Sequence, residues 1–176
     1  MKIGFCGTMS VGKTTLVNAL KELPEFKDYK FATERSKYLR DLGIPLNTDS
    51  TLKGQTIFLA ERCSELICDN IITDRTIIDV MAFTLCANSI LSPDADLFEQ
   101  YASNFIKEYD WIFYVSPVGV PIEDNNVRTI DSNYRELINN MIYYLCSEYK
   151  HNIQNFGIIS GSTEDRINQI KSYLSF

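Results

Sequence analysis

The sequence carries a complete phosphate-binding loop pattern close to its start. Residues 7–14 read GTMSVGKT and match G-x-x-x-x-G-K-[ST]. An apolar run over residues 1–6 precedes the pattern and a helical run over residues 13–23 follows it, which is the context the motif requires. In that context, loop N–H groups and a helix N-terminus point at one small volume and bind anionic oxygens. The chain is therefore predicted to bind a nucleoside triphosphate.

The pattern also assigns roles to individual loop residues. Gly7 and Gly12 permit backbone angles and close approaches that a Cβ atom would block. Lys13 supplies a mobile positive charge for the outer phosphates of ATP, and the Thr14 hydroxyl is placed to ligate Mg²⁺. The residues expected to contact the nucleotide are Gly7, Thr8, Met9, Ser10, Val11, Gly12, Lys13, Thr14 and Thr15.

Composition restricts the class of protein and its partners. At 176 residues the chain fits a single domain over residues 1–176. Its net charge of −6 weighs against broad attraction to nucleic acid or to an anionic membrane, because either would need a basic face. No apolar run approaches the roughly 20 residues that a bilayer requires. The first strand begins at Lys2, so we expect no signal peptide and a cytoplasmic protein.

Short apolar runs alternate with helical ones along the chain, which predicts parallel strands covered by helices on both faces. The fold class is therefore α/β, a three-layer α/β/α arrangement around a five-stranded parallel sheet. Its ligand should lie at the carboxyl edge of the strands. One apolar helix is predicted over residues 77–90, and a second over residues 96–109 after a break at Pro93. The irregular segment that follows the fourth strand is interpreted as a short lid over residues 117–135. The five strands are centred near Ile3, Phe31, Ile72, Phe113 and Ile158.

Polar residues at the strand ends are the first candidates for chemistry. Asp74 closes an apolar strand, where a Mg²⁺-organising carboxylate belongs, and Arg75 beside it could hold a phosphoryl oxygen. The alternative is that Asp74 caps the next helix and Arg75 lies on the surface. Glu34 ends the second strand and could act as a general base or accept a hydrogen bond from a sugar or base. A capping or surface carboxylate is the alternative there.

Two further groups complete the candidate site. Arg128 and Arg135, in and just after the irregular segment, could neutralise the charge on a transferring phosphoryl group when a lid closes. Solvated loop arginines would look the same in sequence. Gly161 and Ser162 follow the last strand and could wrap an adenine base, a role compatible with a simple helix start.

Together these residues resemble the nucleoside and nucleotide kinase branch of the phosphate-loop proteins. The chain is most similar to the small AAA-type ATPase/kinase family, which includes ribosylnicotinamide-kinase-like domains and many bacteriophage proteins. The resemblance rests on the loop over residues 7–15, on Thr33-Glu34-Arg35 and Thr73-Asp74-Arg75, and on the lid. It implies that the strand-end acidic residue and the Asp-Arg pair contact acceptor and metal, while lid arginines clamp phosphates.

The resemblance implies an ATP- and Mg²⁺-dependent kinase fold and activity. Its acceptor would be a nucleoside, a nucleoside monophosphate or a related small molecule, in host cytoplasm if a phage encodes the chain. One alternative is a kinase acting on a hydroxymethylated pyrimidine base within DNA, which would require base flipping. Another is a nucleotide-dependent ATPase or switch module. The sequence leaves open whether the protein forms a homodimer, and it predicts no membrane partner.

Overall fold

A parallel five-stranded sheet forms the centre of the described part of the protein. The structure is a computed structural model, and it describes residues 1–33, 35–120 and 132–176. The strand order is β2-β3-β1-β4-β5 and each neighbouring pair is parallel, as the sequence predicts. The strands are β1 (Lys2–Cys6), β2 (Lys30–Ala32), β3 (Ile71–Thr73), β4 (Trp111–Val115) and β5 (Phe156–Ile159).

Helices connect the strands and cover the sheet. None of the helices within the described ranges is long and apolar enough to cross a membrane. The helices are α1 (Lys13–Lys21), α2 (Ser36–Asp41), α3 (Leu52–Glu65), α4 (Ile77–Leu85), α5 (Ser92–Ser103), α6 (Ser132–Glu148) and α7 (Thr163–Leu174).

The two faces of the sheet form two separate apolar clusters. Ile3 and Phe5 of β1 pack with residues of α1 and α7, including Leu16 and Ile170, on one face. Cys6, the residue after Phe5, belongs to the other cluster, which contains residues of α3 to α6. This separation follows from the two-residue period of a strand, which sends successive side chains to opposite faces. The result is the three-layer α/β/α arrangement predicted from the sequence.

The boundaries of α4 and α5 differ from the prediction. α4 ends at Leu85 instead of residue 90, and the chain then turns because Asn88 N–H donates to the Thr48 carbonyl at 2.9 Å. α5 starts at Ser92 instead of residue 96 and contains Pro93 in its first turn. Proline is tolerated there because the first N–H groups of a helix have no intrahelical partner. Pro93 therefore starts a helix where the sequence reading had placed a break.

Candidate nucleotide site

The loop after β1 adopts a conformation that two glycines make accessible. Gly7 and Gly12 have φ angles of 152° and 81°. A Cβ atom on Gly7 would lie 2.9 Å from the Val115 carbonyl oxygen, so a larger residue would push the loop away from β4. Ser10 has a φ of 55°, which is uncommon for a residue with a side chain. The loop is thus held close to the sheet in a strained conformation.

Cationic side chains bind the five consecutive carbonyl groups of residues 7–11. Lys13 Nζ donates to the carbonyls of Gly7 and Thr8, and its distance to the Thr8 oxygen is 2.8 Å. Arg135 donates to the Met9 carbonyl through Nε at 3.2 Å and to the Ser10 carbonyl through Nη2 at 3.4 Å. Arg166 Nη1 donates to the Val11 carbonyl at 2.6 Å. Because C=O and the following N–H point in opposite directions within a trans peptide, these bonds also fix the loop N–H directions.

A polar cleft lies over the loop and the start of α1. Residues 10–15 line it together with Val120, so it contains most of the residues predicted to contact phosphate. Thr8 faces elsewhere, because its hydroxyl donates to the Arg135 carbonyl at 2.9 Å. The loop and the first turn of α6 are thus in contact through Thr8 and Arg135, and the predicted contacts of these residues with phosphate stay predictions.

The two predicted metal ligands are in direct contact. The Thr14 hydroxyl donates to Asp74 Oδ2, and the Asp74 side chain is 1% exposed. A hydroxyl and a carboxylate are the hard oxygen donors that Mg²⁺ prefers, and the metal usually keeps several waters as its other ligands. The pair therefore has the donor chemistry to hold a magnesium ion.

Arg75 lies against α4. Its Nη1 atom is 3.8 Å from Asp79 Oδ1, and its guanidinium carbon lies 4.9 Å from the centre of the Phe83 ring. The side chain is 12% exposed, so it is not a surface arginine. Thr76, not Asp74, is the N-cap of α4, which removes the capping alternative for Asp74.

Asp79 on α4 is a buried carboxylate that the sequence reading missed. It accepts from Gly7 N–H at 3.2 Å and from both the N–H and the hydroxyl of Thr76, at 2.8 and 2.9 Å. Its Oδ1 atom also lies 4.0 Å from Lys13 Nζ. The side chain has no exposed surface. Asp79 therefore joins the loop to α4 and places one negative charge between Lys13 and Arg75.

α3 presents two buried polar side chains that the sequence reading also missed. Gln55 is 3% exposed and Arg62 is 2% exposed, and with Leu59 they form one face of the helix. The Gln55 side chain has no hydrogen-bond partner within the described ranges. Arg62 Nη2 donates to Glu65 at 2.6 Å, whereas its Nε atom is buried without a partner among these residues. Buried polar groups are normally paired, so this face is suited to a polar ligand.

Glu65 is the ion-pair partner of Arg62 on this helix. Burial raises its pKa to about 7, the nearby charge of Glu61 adds to that effect, and Arg62 opposes it. The charge of Asp74 raises the same pKa further. Arg62 and Glu65 also act on the buried Tyr109 hydroxyl, whose pKa is raised mainly by burial. The raised pKa of Glu65 therefore comes mainly from its burial beside Arg62.

The chain matches the family model described as an AAA domain over residues 2–166. It belongs to the AAA domain family. The sequence-based resemblance to small AAA-type proteins is confirmed. No curated protein sequence matches the chain.

Solved structures share the fold of this AAA domain. A deoxyadenosine kinase from M. mycoides, with the products dCMP and dCDP, has a TM-score of 0.71 and 19% identity, over 99% of this chain and 98% of that one. The same kinase with dATP has a TM-score of 0.63 and covers both chains fully. NadR in complex with NAD and AMP-PNP has a TM-score of 0.73 and 14% identity, and the AAA domain spans 49% of it. The kinase fold predicted from the sequence is confirmed.

The remaining predicted residues of the AAA domain have different outcomes. Gly161 and Ser162 form the exposed start of α7, where the Ser162 hydroxyl accepts from Asp165 N–H at 3.1 Å. Their contact with adenine stays a prediction. Glu34 and Arg128 lie outside the described residues, so their roles stay predictions as well. Of the predicted lid, residues 121–131 are also outside the description, and residues 132–135 begin α6.

Proposed function

We propose that this protein transfers the γ-phosphoryl group of ATP to a nucleoside or nucleoside monophosphate. The observation that carries the proposal is the contact of Thr14 with Asp74 next to Lys13, because it combines a phosphate-binding loop with a metal-binding pair. Arg75 follows Asp74 where a hydrolysing motor would have a second carboxylate, which favours transfer to an acceptor.

The donor half of the reaction is supported by the loop. Its N–H groups would bind phosphate oxygens, and Lys13 would move from the loop carbonyls to the outer phosphates. Arg135 contacts the same loop and would stabilise the charge that spreads over the equatorial oxygens during transfer. A magnesium ion at Thr14 and Asp74 would neutralise negative charge between the phosphates.

The acceptor half is supported by the polar face of α3. Gln55 and Arg62 are buried side chains, and Arg62 Nε has no hydrogen-bond partner among the described residues. A nucleobase offers matching donors and acceptors, whereas a purely hydrolytic site needs only water. The solved structures named above are of proteins with nucleotides bound, and they cover this whole chain. If the acceptor is a hydroxyl, Glu34 or Asp74 would take its proton; a phosphate acceptor needs no base.

The decisive experiment is a screen for ADP release. The protein is mixed with Mg-ATP and each common nucleoside, each nucleoside monophosphate or DNA that contains hydroxymethylated pyrimidines. We expect ADP to form only with one or a few nucleosides or monophosphates. ADP formation with the DNA alone would indicate the DNA kinase, and turnover that is independent of every acceptor would indicate an ATPase or switch module.

Gln55→Leu tests the acceptor side. Gln55 has no side-chain partner to lose within the described ranges, so we expect unchanged thermal stability. We expect the KM for the acceptor to rise about 10-fold or more, because a hydrogen bond to a buried ligand is lost. The KM for ATP should change less than twofold. Lys53→Leu, on the exposed face of the same helix, is the control, and equal acceptor KM values in the two variants would contradict the assignment.

A further inference from the structure

Arg166 is a buried arginine whose position is fixed by the start of α7. Ser162 N–H and its hydroxyl donate to Asp165 Oδ2 at 2.9 and 2.7 Å, and Arg166 N–H donates to the Ser162 carbonyl at 3.0 Å. The Arg166 side chain is 3% exposed. It therefore extends inward from a well-defined helix start.

The guanidinium of Arg166 packs against the phosphate-binding loop. Its Nη1 atom donates to the Val11 carbonyl at 2.6 Å. The same atom lies 3.1 Å from the position that a Cβ atom of residue 12 would occupy, so Gly12 leaves the room that the guanidinium fills. The Val11 carbonyl and the Gly12 N–H belong to one trans peptide and point in opposite directions. Arg166 thereby fixes the direction of the Gly12 N–H at the edge of the cleft.

None of the residues that the structure describes neutralises the charge of Arg166. Nε and Nη2 are buried without hydrogen-bond partners, and none of the described carboxylates forms an ion pair with the side chain. Burial lowers its pKa, which reflects the cost of keeping the cation out of water. A buried cation without a counter-charge is unfavourable for folding. That cost is reduced when a polyanion binds close by.

We propose that Arg166 is a positioning residue of the donor site, which orients the Val11–Gly12 peptide and places an uncompensated positive charge beneath the triphosphate. The proposal rests on the donor half of the proposed function. It predicts that the guanidinium contributes more to nucleotide binding than to the stability of the free protein. An arginine with a purely structural role would contribute more to the stability of the free protein than to nucleotide binding.

Arg166→Met and Arg166→Lys are the test variants, and Lys171→Met on the same helix is the control. Binding of Mg-ATP is measured by calorimetry without any acceptor, and thermal unfolding is followed with and without Mg-ATP. We expect Arg166→Met to raise the Kd about 10-fold or more and to reduce the ATP-induced rise in Tm, with the Tm of the free protein unchanged or higher. Arg166→Lys should recover part of the affinity, and Lys171→Met should bind ATP as the wild type does.

An unchanged Kd in Arg166→Met would overturn the proposal. So would a large fall in the Tm of the free protein, or a failure of both variants to fold, since either result assigns the guanidinium to structure. These outcomes are separate from the fate of the kinase assignment. A wild-type protein that binds Mg-ATP but phosphorylates no acceptor would contradict the proposed function, while the comparison of Kd values would still decide the role of Arg166.

Discussion

Replacing Lys13 with alanine is expected to lower kcat by about 10²- to 10³-fold, the loss typical of removing one preorganised group that stabilises transition-state charge. Lys13 directly precedes the candidate metal ligand Thr14 in the sequence, and its Nζ atom donates to the Thr8 carbonyl and lies 4.0 Å from Asp79 Oδ1. Steady-state ADP release with the acceptor found by screening measures the effect. Binding of Mg-ATP should weaken as well, because ground-state contacts to phosphate are also lost.

The control for this variant is Lys21→Ala at the other end of α1. Lys21 is exposed in the last turn, so its removal should leave kcat unchanged and affect helix stability only slightly. Circular dichroism should show that Lys13→Ala retains the fold. A folded Lys13→Ala protein with wild-type turnover would refute the assignment of residues 7–14 as the donor site.

Replacing Asp79 with alanine is expected to reduce the free energy of unfolding by about 3–5 kcal/mol, the usual cost of removing one member of a buried charge network. The variant loses the bond from Gly7 N–H and leaves Lys13 and Arg75 without their shared carboxylate. Urea denaturation at neutral pH measures the change. Asp79→Asn should reduce the free energy of unfolding less, since its one amide oxygen can still accept either from Gly7 or from Thr76.

A matched control is available on α7. Asp165 accepts from the N–H and hydroxyl of Ser162 at the start of its helix, as Asp79 does from Thr76. Asp165 is exposed and has no bond to residues 7–14. Asp165→Ala should therefore lower the free energy of unfolding by only a small fraction of the fall expected for Asp79→Ala. Similar losses in the two variants would show that helix capping, and not the link to the loop, accounts for the role of Asp79.

The sequence predicted those parts of the site that depend on local patterns. The phosphate-binding loop has a fixed spacing, and Asp74 follows a short apolar strand, so both could be placed before the structure was known. Glu34 followed from the same argument at the end of β2. The predictions for Asp74 and Glu34 rest on the rule that parallel strands end at one edge of a sheet, whatever their exact packing.

Gln55, Arg62 and Asp79 could not be found in that way. Each lies inside a helical segment, where polar residues normally occupy the solvent face, and the sequence does not reveal which face is covered. Asp79 is followed by an apolar run that made α4 look uniformly apolar. Burial of these side chains depends on contacts among α3, α4 and the sheet, which only the tertiary structure supplies. The role proposed for Arg166 likewise needs the approach of α7 to the loop.

The position of β1 in the sheet has a consequence for biosynthesis. β1 lies between β3 and β4, and its register pairs Ile3 with both Ile72 and Trp111. During translation β1 is therefore made long before either neighbour, and such distant pairing is slow to form. The loop also packs against Val115 of β4 and accepts a hydrogen bond from Arg166 of α7. A ribosome-bound chain would thus gain nucleotide binding only after α7 has been made, well after the loop residues themselves.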